Sequence, residues 1–337
     1  MIQETLEYIS QGLDLTQEHA FKVMHDIMEG KWTASQIAGF LMALKMKGET
    51  VSEISGFVNA MRDKAVKINP PPGAVDTCGT GGDGLHSFNV STAAAIVAAA
   101  ADIPVAKHGN RSVSSKAGSA DVLQALGVNI ELTAEQAERC LHETGIAFLF
   151  APVYHASMKH AVMPRKEMGI RTVFNILGPM SNPALTRRQV IGVFNFEVAE
   201  KMVHVLKETG SEHVMVVHSN DGMDELAISS ETVVNELQHG EITTYEITPE
   251  DLGLTRSDLS HIKGGTAEDN AEIMRRVFTG ESGPLADITA LNAGAGIYVS
   301  GKAESLKQGL DIARDLLRSG KAREKLSELV DFTHTVN

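Results

Sequence analysis

The sequence predicts an α/β protein: a small N-terminal helical domain plus a larger α/β domain with a mostly parallel central sheet and helices on its faces. Three observations lead there. Apolar residues up to about position 66 recur at helical spacing. The prolines Pro70, Pro71 and Pro72 then interrupt any regular element. Beyond them, short apolar strand-like runs alternate with helical runs, as in a parallel sheet whose strands are connected by helices. The helical domain is placed at residues 1–69 and the α/β domain at residues 73–337.

In the first domain, Ile37, Phe40, Leu41 and Leu44 form one apolar stripe, and Ile54, Phe57, Val58 and Met61 form another. Thr33 with Gln36, and Thr50 with Glu53, have the spacing of capping boxes. Gly30 and Gly48 stand where helix C-terminal glycines are expected. Trp32 reads as core. In the second domain, strands are expected at Ile103–Ala106, Ile146–Phe150, Val190–Phe194 and Val214–His218. Helices are expected at Thr92–Ala101, Ser119–Leu126, Thr133–Glu143 and Val198–Glu208. Asn235–Tyr245 reads as an antiparallel hairpin near an edge, and Ser305–Phe332 as helix.

The 337 residues are 43% hydrophobic and 22% charged, an ordinary globular balance. Only Cys78 and Cys140 occur, which excludes a disulfide framework or a CxxC zinc site. The opening MIQETLEYIS has neither the basic nor the apolar region of a signal peptide. The longest apolar run, Ala93 to Ala101, is far too short to span a membrane. A cytoplasmic protein without a membrane partner is therefore expected. A net charge of −13 argues against non-specific nucleic-acid binding. It also requires that any site for anions be locally basic or hold a metal.

Four segments carry the chemistry. DTCGTGGDG, Asp76 to Gly84, precedes HSFNVST and a helix starting near Ser91. Its glycines let the backbone approach a ligand, and the helix start offers free N–H groups to an anion. The spacing matches neither the dinucleotide nor the P-loop fingerprint. Asp83, Asn89, Ser91 and Thr92 add polar groups. KHGNRSVSSK, Lys107 to Lys116, supplies three further cations and several hydroxyls at a strand end, chemistry suited to phosphate oxygens. Ser119 opens the following helix, either as a simple N-cap or as a second anion-facing terminus. Asp224 and Glu225 follow another apolar strand, and hard cations such as Mg2+ prefer oxygen ligands. Either an exposed acidic turn or a metal loop fits them. Finally, Arg165 and Arg171 flank a Pro/Gly-interrupted stretch, and either could hold a carboxylate bidentately. His108 is a possible proton acceptor or a structural histidine.

Together these segments resemble the anthranilate phosphoribosyltransferase family. The resemblance rests on DTCGTGGDGLHSFNVST, KHGNRSVSSKAGSADVLQALG, MPRKEMGIRTVFNILGPMSNP and MDE, and covers nearly the whole chain. It implies transfer of a phosphoribosyl group from 5-phosphoribosyl 1-pyrophosphate to the amine of anthranilate, with Mg2+, in a homodimer formed through the helical parts. It also implies that part of residues 160–182 joins the helical domain, so that the site lies between the domains. Phosphoribosyl pyrophosphate would be held by Gly79, Gly82, Asp83, Ser87, Asn89, Ser91, Thr92 and Lys107, with Ser114, Ser115 and Ser119 around its phosphates. Ser91, Asp224 and Glu225 would bind Mg2+, and Gly79, Asn110 and Arg165 would meet anthranilate. No acid or base is assigned; Lys107, His108 and Arg165 are the candidates for a direct part in catalysis. A pyrimidine nucleoside phosphorylase and a non-catalytic nucleic-acid-binding relative are the competing readings. The intact Asn110 and Arg165 and the acidic charge count against the latter.

Overall fold

The structure, a computed structural model, describes residues 2–112 and 116–336. Four helices open the chain: α1 (Ile2–Ser10), α2 (Gln17–Met28), α3 (Ala34–Lys47) and α4 (Val51–Lys64). The capping boxes Thr33/Gln36 and Thr50/Glu53 both form. Both apolar stripes are buried, and Trp32 packs edge-on against Phe40 at 5.6 Å between ring centroids. Gly30 and Gly48 have φ of +73° and +85°, which end their helices at little steric cost.

Past the prolines the chain forms β1 (Val75–Gly79), α5 (Val90–Ala99), β2 (Val105–Gly109), α6 (Ser119–Ala125), α7 (Ala134–Thr144) and β3 (Ile146–Phe150). Then come α8 (Ala151–Tyr154), α9 (Lys159–Met168), α10 (Phe174–Met180), β4 (Arg188–Gly192), α11 (Phe196–Glu208) and β5 (His213–Ser219). A hairpin of β6 (Thr232–Gln238) and β7 (Glu241–Ile247) follows. The chain closes with α12 (Ala267–Phe278), α13 (Pro284–Ser300), α14 (Leu306–Arg318) and α15 (Lys321–Thr335). The sheet order is β3-β2-β1-β4-β5-β6-β7. The first five strands are parallel, and the hairpin closes one edge antiparallel.

Along β5, Met215 and Val217 face one core while Val214 and Val216 face the other, as the two-residue period of a strand requires. The first core is filled by α5, α7 and α12–α15. The second is shared by α11 and the N-terminal helices. Helix α9 packs on α2 and α3, and α10 on α4. Ala161, Phe174, Leu177 and Met180 lie in the same apolar cluster as Phe40 and Phe57.

Some boundaries differ from expectation. Strand β2 begins at Val105 rather than Ile103, because Pro104 has no N–H to donate. Strand β4 runs from Arg188 to Gly192 instead of Val190 to Phe194, in register with the whole of β1. The C-terminal helix is two, divided at Gly320 with φ +78°. Helix α13 carries no one-sided stripe to read, since Ile288 through Ile297 are all buried.

Candidate active site

Strand β1 lies between β2 and β4, so the chain winds one way from β1 to β3 and the other way from β4 onward. The crevice beyond the carboxyl ends of β1 and β4 is the point where such sheets bind ligands. The glycine loop leaves β1 there. Gly81 and Gly82 have φ of +67° and +82°, a conformation that side chains disfavour. A Cβ on Gly79 would lie 2.7 Å from Asp224 Oδ2, so the close approach of the acidic loop depends on glycine.

That approach builds the centre of the site. Gly81 N–H donates to Asp224 Oδ2 at 2.7 Å. Ser91 N–H, in the first turn of α5, donates to Glu225 Oε1 at 3.2 Å. The N-cap of α5, Asn89, does not use its side chain on the helix. It donates instead to Ala117 O at 3.3 Å, tying the glycine loop to the second loop. Asp83 Oδ1 accepts Leu85 N–H at 3.1 Å. Burial pushes the Asp224 carboxyl up to about 7, with the nearby Asp83 charge adding to it. Burial and then the Asp224 charge push Glu225 well above the usual carboxylate range. Asp224 and Glu225 are thus held against ionisation, with the Asp83 charge close enough to add to the effect. A divalent cation relieves such repulsion, and an all-oxygen donor set with the adjacent Ser91 suits Mg2+.

The cations follow. Lys107 is only 3% exposed, and its Nζ donates to Thr77 O at 2.5 Å. Burial raises the pKa of both Asp76 and Glu225, and the Lys107 charge opposes that rise. Arg165 lies over the Phe174 ring, 4.9 Å from its centroid. Among the described residues it has no carboxylate partner, and burial lowers its pKa. Its planar fork is held but not used. Arg171 donates to Gly82 O and stacks over Phe194 at 4.2 Å. It therefore braces the glycine loop, a role that residue spacing left undecided.

His108 is 8% exposed, and its Nε2 has no hydrogen-bond partner among the described residues. Burial, and then the nearby His155, lower its pKa to about 3. A base that weak is neutral near pH 7 and poorly matched to proton abstraction there. Beneath it, Asp76 in β1 accepts Asn182 Nδ2–H at 2.8 Å and His108 N–H at 3.3 Å. Neither Asp76 nor Asn182 was singled out from the sequence. The available signal was an acid inside an otherwise buried strand.

Ser119 is the first residue of α6 rather than its N-cap, which is Gly118. Asp121 already accepts Gly118 N–H at 2.9 Å, so this terminus is partly satisfied from within. Ser119 Oγ donates to Asn110 O at 3.2 Å, and Asn110 Oδ1 accepts Arg111 N–H at 2.7 Å. Ser87 pairs through its backbone with Lys263. The Thr92 hydroxyl is buried without a hydrogen-bond partner among the described residues. Ser114 and Ser115 lie outside the described residues. The crevice thus gathers Gly79, Gly82, Asp83, Asn89, Ser91, Asp224 and Glu225. Lys107 sits under their floor, and Asn110 and Ser119 stand on the adjoining loop.

Comparison with known proteins gives two matching family descriptions. Residues 3–65 match the helical bundle domain of the glycosyl transferase family, and residues 71–323 match its a/b domain. Anthranilate phosphoribosyltransferase of Acetivibrio thermocellus is 49% identical over 99% of this chain and 97% of its own length. That of Thioalkalivibrio sulfidiphilus is 51% identical, covering 98% of each chain. The crystal structure of the Thermus thermophilus enzyme superposes with a TM-score of 0.93 at 44% identity, covering 98% of this chain and 99% of that one. The Saccharomyces cerevisiae enzyme in complex with PRPP and Mg has a TM-score of 0.89 at 25% identity, covering 99% and 98%.

Proposed function

The chain belongs to the glycosyl transferase family and, within it, to the anthranilate phosphoribosyltransferases, and from that premise we propose how its crevice moves the phosphoribosyl group of 5-phosphoribosyl 1-pyrophosphate onto the amine of anthranilate, a step of tryptophan synthesis. The observation that carries the reading is the reach of the buried Asp224 and Glu225 to the glycine loop and the start of α5, with the Asp83 charge nearby. Arg165 adds to it, held on Phe174 without a carboxylate of its own.

Gly79, Gly82, Asp83, Ser87, Asn89, Ser91 and Thr92 line the phosphoribosyl pyrophosphate side. Ser119 is assigned to its phosphates, and so are Ser114 and Ser115, which lie outside the described residues. Ser91, Asp224 and Glu225 would hold Mg2+. Bound there, the ion would neutralise the charge that develops on departing pyrophosphate. The chain's own contribution is to aim backbone N–H groups of the glycine loop and α5 at the same oxygens. Lys107 adds a fixed positive charge beneath them. Arg165 holds the anthranilate carboxylate, and Gly79 and Asn110 bound the ring. An aromatic amine is uncharged and nucleophilic at neutral pH, so positioning replaces a strong base. The neutral, buried His108 fits that economy.

The packing of α9 and α10 on the N-terminal helices supports a division into residues 1–69, joined by part of 160–182, and 73–337. A homodimer is supported by exposed apolar side chains on that helical part, among them Leu13, Met42, Met46, Val162 and Met163. A cytoplasmic location is supported by two free, buried cysteines. Among the described residues no helix is long and apolar enough to cross a membrane.

The test mixes the protein with phosphoribosyl pyrophosphate, anthranilate and Mg2+ and follows the loss of anthranilate fluorescence. Loss that stops with EDTA and in Arg165→Ala supports the assignment. No loss from folded protein that still binds phosphoribosyl pyrophosphate would show that the acceptor is another molecule.

A further inference from the structure

A cavity of about 470 Å3 lies away from the crevice, at the amino ends of β4 and β5. Its wall joins the two domains. The end of α4 gives Arg62, the following segment gives Lys67, and the α/β part gives Leu185, Thr186, Arg187 and Ser211. The volume is in the range of small-molecule sites.

Its polar groups are poorly satisfied by the protein. Arg62 donates through Nε to Met180 O at 2.8 Å and through Nη1 to Thr209 O at 3.0 Å. A guanidinium carries five N–H donors, so most are left over. No ion pair involves Arg62 among the described residues, and burial lowers its pKa to about 10. A largely buried charge without a counter-charge is costly unless something supplies one. Thr186 is 4% exposed, and among the described residues neither its hydroxyl nor that of Ser211 has a hydrogen-bond partner. Leu185 holds φ +49°, a strained conformation for a leucine, and its side chain is 41% exposed at the rim. Arg187 is paired with Glu212 at 2.8 Å and serves as wall. With Arg187 neutralised by Glu212, Arg62 and Lys67 face one carboxylate in the lining, Asp63. In a chain of net charge −13, this is a local excess of positive charge.

We propose that this cavity binds a small oxyanion, the phosphate or carboxylate group of a metabolite, between Arg62, Lys67 and the Thr186 and Ser211 hydroxyls. Such a ligand bridges α4 and the strand ends, and so stabilises the arrangement of the two domains from the side opposite the crevice.

Equilibrium dialysis with inorganic phosphate, without Mg2+, tests it. Wild-type protein is compared with Lys67→Glu and Thr186→Val. Neither residue belongs to the transfer site, so both variants keep anthranilate turnover, which also reports that they fold. The expected result is one more phosphate per chain in the wild type than in Lys67→Glu. For that equivalent, Thr186→Val weakens binding by roughly tenfold, as losing one hydrogen bond to a charged group does. Displacement of that phosphate by succinate would extend the site to carboxylates. Failure of succinate to displace it would restrict the site to phosphates; both support the proposal. Equal number and strength of phosphate sites in all three proteins would overturn it, whatever the outcome of the turnover assay.

Discussion

Asp224 Oδ2 accepts the backbone N–H of Gly81 at 2.7 Å. One carboxylate therefore occupies a backbone donor of the glycine loop. Glu225 does the same at Ser91 N–H. The acidic loop thus takes up one backbone donor on the glycine loop and one at the start of α5. Asp224→Asn keeps an oxygen for Gly81 and removes one charge from a crowded buried group. The expected unfolding midpoint in EDTA is equal to or above that of the wild type, while turnover falls at least about 100-fold for loss of a metal-bound oxygen. A variant that unfolds earlier in EDTA would show that the Asp224 charge stabilises the fold.

Arg165→Lys keeps the charge but loses the planar fork stacked on Phe174. The expected effect is a rise of about 10-fold or more in the KM for anthranilate, with the KM for phosphoribosyl pyrophosphate unchanged, as removal of about 1.4 kcal/mol of bidentate binding requires. Steady-state kinetics with each substrate varied in turn decides it. A fall in turnover at constant KM would instead make Arg165 a transition-state group.

Much of this site is legible in the sequence because its signals are local. Gly81 and Gly82 need positive φ, Ser91 starts a helix, and the MDE loop follows an apolar strand. The elements that escaped are those set by tertiary contact. Helix α13 is buried on all sides, so its period is silent. Asp76 and Asn182 meet across 106 positions of sequence. Arg171 is distinguished from Arg165 only by reaching Gly82, and Arg62 only by the cavity that it lines. No spacing rule connects such pairs.

His108 and His155 have pKa values lowered by burial to about 3 and about 4. The unfolded chain binds these protons at ordinary histidine values of about 6.5 while the folded chain does not. Their contribution to stability is therefore complete above about pH 6.5 and is lost as pH falls toward 4. Asp76, raised to about 6 by burial, acts with the opposite sign in the same window, so the comparison must be between variants. His155→Gln is expected to lose less stability than the wild type between pH 6.5 and 4.5. Urea unfolding at several pH values measures this; parallel curves would mean that His155 is not buried neutral.

The exposed methionines of the helical part give the last prediction. Met46 in α3 is 79% exposed and Met163 in α9 is 55% exposed, on helices that pack against each other. An exposed apolar patch of this kind is the usual mark of an interface. A charge placed inside an apolar contact is costly to desolvate, whereas the same charge on a free surface changes little. Met46→Lys combined with Met163→Lys is therefore expected to convert a dimer to monomers in light scattering while the unfolding midpoint of the monomer stays measurable. Each crevice is built within one chain, so the monomer should keep magnesium-dependent turnover. A double variant that remains dimeric would move the interface to another face.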